Sequence, residues 1–140
     1  MNSNIDYQNE YITFEVKNHI FAVPVNYSLG FIDCMNNNIS YTTIPQAPKN
    51  IKYIVNWWNK YITIVQMPDI YEDIPIKDSI IVLLEHTNQI IGILSNSVDH
   101  ITIPADNILE DSNTGQKYFV HTGKIYLILD VRQLYSELGV

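Results

Sequence analysis

The feature that most constrains the fold is punctuation: short apolar, β-rich runs follow one another closely, each cut off by polar or proline-bearing residues. Residues 11–16 (YITFEV) alternate as a half-buried strand does, 17–19 read as a turn, and 20–25 return. Pro24 puts the end of that second run at a sheet edge or a bend. Residues 26–30 suffice for one helical turn, 31–35 for a strand, and 36–38 form a polar loop. Residues 41–44, the prolines at 45 and 48 and a turn at 48–50 lead into a hairpin of 51–57 and 61–66, which turns at Trp58-Asn59. A second hairpin joins 79–85 to 89–94, and 98–103 is a strand closed by Pro104. A third hairpin, 117–121 with 124–131, turns at Thr122-Gly123. Helical spacing appears only at the end, where Leu134 and Leu138 recur at i, i+4 after a start at Asp130 or Val131. About nine or ten short strands with no βαβ rhythm predict an all-β sandwich or small barrels.

Residues 1–9 are expected to form a polar, flexible lead, and 10–140 read as one domain, long enough to bury a real core. The acidic, proline-bracketed 69–75 reads as a solvated connection between two halves, with the boundary expected near 68–79. A formal charge of −7 with only eight Lys and Arg argues against nucleic acid and against an anionic membrane surface as partner. No apolar run approaches the roughly 20 residues of a membrane span. The start, MNSNIDYQNEY, lacks the features of a secretory signal. The single Cys34 excludes an internal disulfide, so the expected setting is the cytoplasm.

Chemistry is sparse. His19, His86, His100 and His121 are scattered, with no metal-ligand spacing, so no metal is expected. Cys34 reads as a small buried residue. The 111–115 loop (DSNTG) has calcium-like side chains but neither the remaining ligand positions nor the helices of an EF-hand, and reads as surface. With no phosphate cradle or nucleophile elbow, no catalytic residue and no cofactor are expected.

The hairpin at 51–66 stands out for its adjacent tryptophans. If Tyr53, Val55 and Trp57 point inward, Lys52, Asn56 and Trp58 belong to the other face or to the turn. An indole left outside a core is a candidate contact, whereas Trp57 is expected to be core.

The order of segments resembles the CheW-like domain of bacterial chemotaxis adaptors. The resemblance rests on residues 11–14 with 21–25, Ile44-Pro45 with Ala47-Pro48 and Ile51, and 80–84 with 91–94 and Val98-Asp99. Ile103-Pro104 with Ile108, and Gly123-Lys124 with 127–130 and Leu134, complete it. It implies two packed five-stranded barrels of SH3-like character with a short C-terminal helix. It also implies a non-enzymatic adaptor that couples methyl-accepting chemoreceptor tips to a CheA-type histidine kinase, using the first barrel and the groove between barrels.

Where the family usually carries Asn-x-Arg-Gly, this chain has Asn56-Trp57-Trp58-Asn59, and its Val-x-Glu pattern is here Ser28-Leu29-Gly30. The partner-binding residues this implies are Asn56, Trp58, Asn59, Lys60, Ser28 and Gly30. The apolar frame thus matches while several contact positions differ. Two other readings stay open: a divergent module of the same fold that serves another partner or self-associates, and a small enzyme or ligand-binding barrel using His19, Cys34 or His121.

Overall fold

The computed structural model describes residues 8–48, 50–68 and 74–140. Among these, the strands are β1 (Gln8–Val16), β2 (His19–Pro24), β3 (Ser28–Asp33), β4 (Tyr41–Thr43), β5 (Ile51–Trp57), β6 (Lys60–Val65), β7 (Ile80–His86), β8 (Gln89–Ser95), β9 (Ser97–Pro104), β10 (Leu109–Glu110), β11 (Lys117–His121) and β12 (Lys124–Ile128). One helix, α1 (Val131–Leu138), ends the chain. Its N-cap Asp130 accepts a hydrogen bond from the Gln133 amide, and Gly139, at φ 72°, closes it in the left-handed conformation.

Two six-stranded sheets result, in the orders β10-β11-β12-β2-β1-β9 and β3-β7-β8-β6-β5-β4. The expected pair of β units and terminal helix is therefore present. Each sheet has one strand more than the five expected, and each has a very short strand at one edge, β4 of three residues and β10 of two. The chain passes from the first sheet to the second at the 3-10 turn Val25–Tyr27, and back between β8 and β9. The stretch 68–79 runs from β6 to β7, both in the second sheet, and so does not link one sheet to the other. Of it, 69–73 lies outside the described residues.

Local corrections have direct causes. β1 begins at Gln8 rather than Tyr11 because Gln8 and Asn9 continue the antiparallel ladder against Pro104 and Ile103. Within 26–30, the helical turn ends at Tyr27 and Ser28 already pairs with Leu84 in β3, with a bulge between Ser28 and Gly30. Four hairpins turn through two residues with positive φ: Lys17-Asn18, Trp58-Asn59, Thr87-Asn88 and Thr122-Gly123. Two consecutive left-handed residues match the twist of a tight hairpin, and Asn or Gly in the second place tolerates that conformation best.

The main core lies between the sheets. Phe14, Val16, Phe21 and Val23 of the first sheet pack with Val82, Leu84, Ile91 and Ile93 of the second, and with Leu134, Tyr135 and Leu138 of α1. A smaller cluster of Tyr11, Ala22, Ile103 and Phe119 fills the other face of the first sheet.

Candidate functional site

Strand directions decide which loops meet. The start of β3 pairs with the end of β7, the β7–β8 turn follows, β8 runs parallel to β6, and β6 turns back into β5. The segment 28–30, the turn at Thr87-Asn88 and the turn at Trp58-Asn59 therefore all lie at one end of the second sheet. The two groups of expected partner-binding residues are thus brought to the same end, with β7 and β8 between them. Three inter-strand steps make that roughly 14 Å across a flat sheet, less where it curls.

At the β5–β6 tip, Trp58 is 81% exposed and Tyr61 79% exposed. Asn56 and Tyr61 sit opposite one another on one face, and Trp57 and Lys60 on the other. Trp57 is half-buried against the main core, and its ring meets that of Trp58 edge-on at 6.1 Å. The inward set is as expected at Val55, fully buried; Tyr53 is half-buried, and its ring packs edge-on to Tyr41 at 5.1 Å. Trp57 is less enclosed than a core residue because its strand ends there. Asn59 and Lys60 are exposed.

At the β3 start, the Ser28 hydroxyl accepts the Gly30 amide at 3.1 Å, and Gly30 has a φ of 114°, which an L side chain rarely adopts. The bulge leaves Leu29 exposed, and Phe31 stands 57% exposed beyond it. Tyr61, Leu29 and Phe31 are exposed apolar residues at this end of the sheet that sequence reasoning did not single out. Tyr61 was findable, because it alternates with the buried Ile62 and Ile64; the bulge that exposes Leu29 has no periodic signal.

An aromatic chain ties this end to α1. Tyr27 meets His86 at 6.0 Å and His86 meets Tyr135 at 5.2 Å. The Tyr135 hydroxyl donates to the carbonyls of Leu84 and Gln89 at 3.1 and 2.9 Å. Burial, with the nearby Glu85 carboxylate adding to it, pushes the Tyr135 phenol up to about 12. Alongside α1, a cleft of about 830 Å³ opens over Phe21, Tyr27, Leu127 and Leu134, with Asp111, Asp130 and Glu137 among its lining residues.

Cys34 is buried, and that burial raises its pKa, which disfavours the thiolate. Among the described residues, no three His, Cys, Asp or Glu are grouped to hold a metal ion, and no helix is long and apolar enough to cross a membrane.

The comparisons with known proteins bear on the fold and the family. The crystal structure of the scaffolding protein TtCheW from Thermoanaerobacter tengcongensis superposes with a TM-score of 0.73 at 20% identity, covering 87% of this chain and 88% of that one. No curated protein is matched by sequence. The model of the CheW-like domain matches residues 10–139, nearly the whole chain, and the protein belongs to the CheW-like domain family.

Proposed function

We propose that this protein is a non-enzymatic chemotaxis adaptor of the cytoplasm, coupling a chemoreceptor tip to a CheA-type histidine kinase through protein–protein contacts. The observation that carries the reading is the match to the family over residues 10–139. The end of the second sheet that gathers residues 28–30 and 56–60 is the proposed contact surface. An arginine at the turn would make directional pairs with carboxylates, whereas Trp58 prefers an apolar pocket. The partner surface that meets this turn is therefore apolar where the usual one is charged.

The test is reconstitution with a receptor signalling fragment and a CheA-type kinase, each first shown to be competent with a standard adaptor. A ternary complex is expected, and its absence would remove the reading. In that complex, Trp58→Ala is expected to cost about 2 kcal/mol of binding while barely moving the melting temperature. A second reading, a divergent module serving another signalling partner, is favoured by the departures at Trp58, Asn59 and 28–30. It predicts normal folding with no ternary complex.

A further inference from the structure

Three elements that are remote in sequence meet at one side chain. His86 ends β7, opposite Gln89 across the turn at Thr87-Asn88, and its half-buried imidazole contacts two phenol rings. One belongs to Tyr27, edge-on at 6.0 Å, the last residue before segment 28–30. The other belongs to Tyr135 of α1, edge-on at 5.2 Å. Among the described residues the two phenols make no ring contact with each other, so His86 is the ring that joins them. Both elements on either side of this junction depend on outside support. α1 has eight residues, too few to stay helical in water alone, and is held by burying Val131, Leu134, Tyr135 and Leu138. The Tyr135 hydroxyl adds a grip on the Leu84 and Gln89 carbonyls, on either side of the β7–β8 turn. β3 is an edge strand paired with β7 alone, and the bulge between Ser28 and Gly30 interrupts that ladder where it begins. Edge segments with a broken ladder and short docked helices open locally at free energies well below that of global unfolding.

We propose that His86 is a positioning residue that couples these two elements: through its contacts with Tyr27 and Tyr135, the docking of α1 and the set of segment 28–30 stabilise one another. Edge-to-face aromatic pairs at this spacing are favourable, so withdrawing either phenol removes a contact that holds the imidazole against the other. Loosening α1 therefore loosens segment 28–30, and the reverse. By linkage, a partner that fixes segment 28–30 tightens α1 by the same factor by which anything fixing α1 tightens the segment. That consequence rests on the reading of 28–30 as a contact surface. The coupling itself does not, and is measured on the free protein.

Native-state hydrogen exchange of the full chain, read residue by residue by NMR, tests the inference. Tyr27→Ala is expected to lower the protection of the α1 amides from Leu134 onward by about fivefold or more. That fall is taken relative to the amides of β1, which report global stability. Should Tyr27→Ala fold poorly, Tyr27→Leu serves, because it keeps an apolar side chain without the ring. In a His86→Ala background the same substitution is expected to leave the α1 amides unchanged relative to β1. In a His86→Phe background, which keeps a ring at the junction, it is expected to act as in the parent. Read in the other direction, Tyr135→Phe frees the two carbonyls, and is expected to move the resonances of Ser28, Leu29 and Gly30 in the parent but not with His86→Ala. Protection lost in α1 no more than in β1, an effect of Tyr27→Ala that persists with His86→Ala, or its disappearance with His86→Phe would each overturn the proposal. So would resonances of 28–30 that ignore Tyr135→Phe. These readouts are independent of the ternary complex, whose absence would leave the coupling standing.

Discussion

At the residue scale, Trp58 is held in a conformation that its side chain does not favour. Its φ is 52° and that of Asn59 is 61°, and a β-carbon makes the left-handed region costly. Lys17, Thr87 and Thr122 occupy the same first turn position in the other hairpins, so the backbone demand comes from the hairpin geometry. The indole itself adds little to the fold, since most of it faces solvent. Trp58→Asn should therefore stabilise the protein by about 0.5–1 kcal/mol in urea unfolding while weakening binding through the tip as Trp58→Ala does. A less stable variant would show that the indole supports the hairpin. Tyr135 gives a pH prediction. Its folded-state pKa is raised to about 12 from an ordinary value of 10.0, so the folded state holds the proton more tightly than the unfolded chain does. The stability this contributes is fully present below pH 10 and is lost as pH rises through 12. At pH 9, Tyr135→Phe should cost about 1 kcal/mol through the lost hydroxyl hydrogen bonds. That gap between variant and parent should then shrink as pH rises from 10 to 12. A gap independent of pH would mean that Tyr135 does not titrate there.

At the scale of elements, the hairpins were legible because each ends in a two-residue polar break with Asn or Gly in second place, and flanking runs set the strands. Strands β4 and β10 were not, since three and two residues are too few to show a period. The start of β3 was misread as helical because its bulge breaks the alternation that marks a strand. Close packing at β8 was equally hidden. A β-carbon on Gly92 would stand 2.5 Å from Ile81 Cγ2 and 2.7 Å from Ile64 Cδ1. The far end of Ile64 can rotate away, but the Ile81 methyl is fixed on a β-branched carbon in a central strand. Gly92→Ala should therefore overpack the contact of β8 with β7 and β6, costing about 1–3 kcal/mol. The urea midpoint measures it, and a variant of parental stability would show that the sheet yields there.

At the scale of the whole molecule, the expected site was legible as two distant sequence segments but not as one place. Ser28 and Lys60 come to the same end only because β6 and β8 run parallel, a pairing no local pattern announces. The order of strands bears on stability as well. The first sheet takes β1 and β2 from the start of the chain and β9–β12 from its end, while the second is the continuous stretch between them. Both sheets bury their facing sides in one shared core, so neither can keep its apolar face covered alone. If 10–140 is one cooperative domain, the sheets unfold together, and the two tryptophans provide the means to see it. Trp57 lies in the second sheet and Trp58 in its turn, so fluorescence reports that sheet, whereas far-ultraviolet circular dichroism reports both. The two signals should give coincident urea transitions. Phe14, fully buried in the first sheet, provides the stronger test: Phe14→Ala should lower stability by about 3–5 kcal/mol, and the fluorescence midpoint should fall with the dichroism midpoint. A fluorescence transition that stays in place while the dichroism splits would mean that the second sheet folds independently and that the shared core does not couple them.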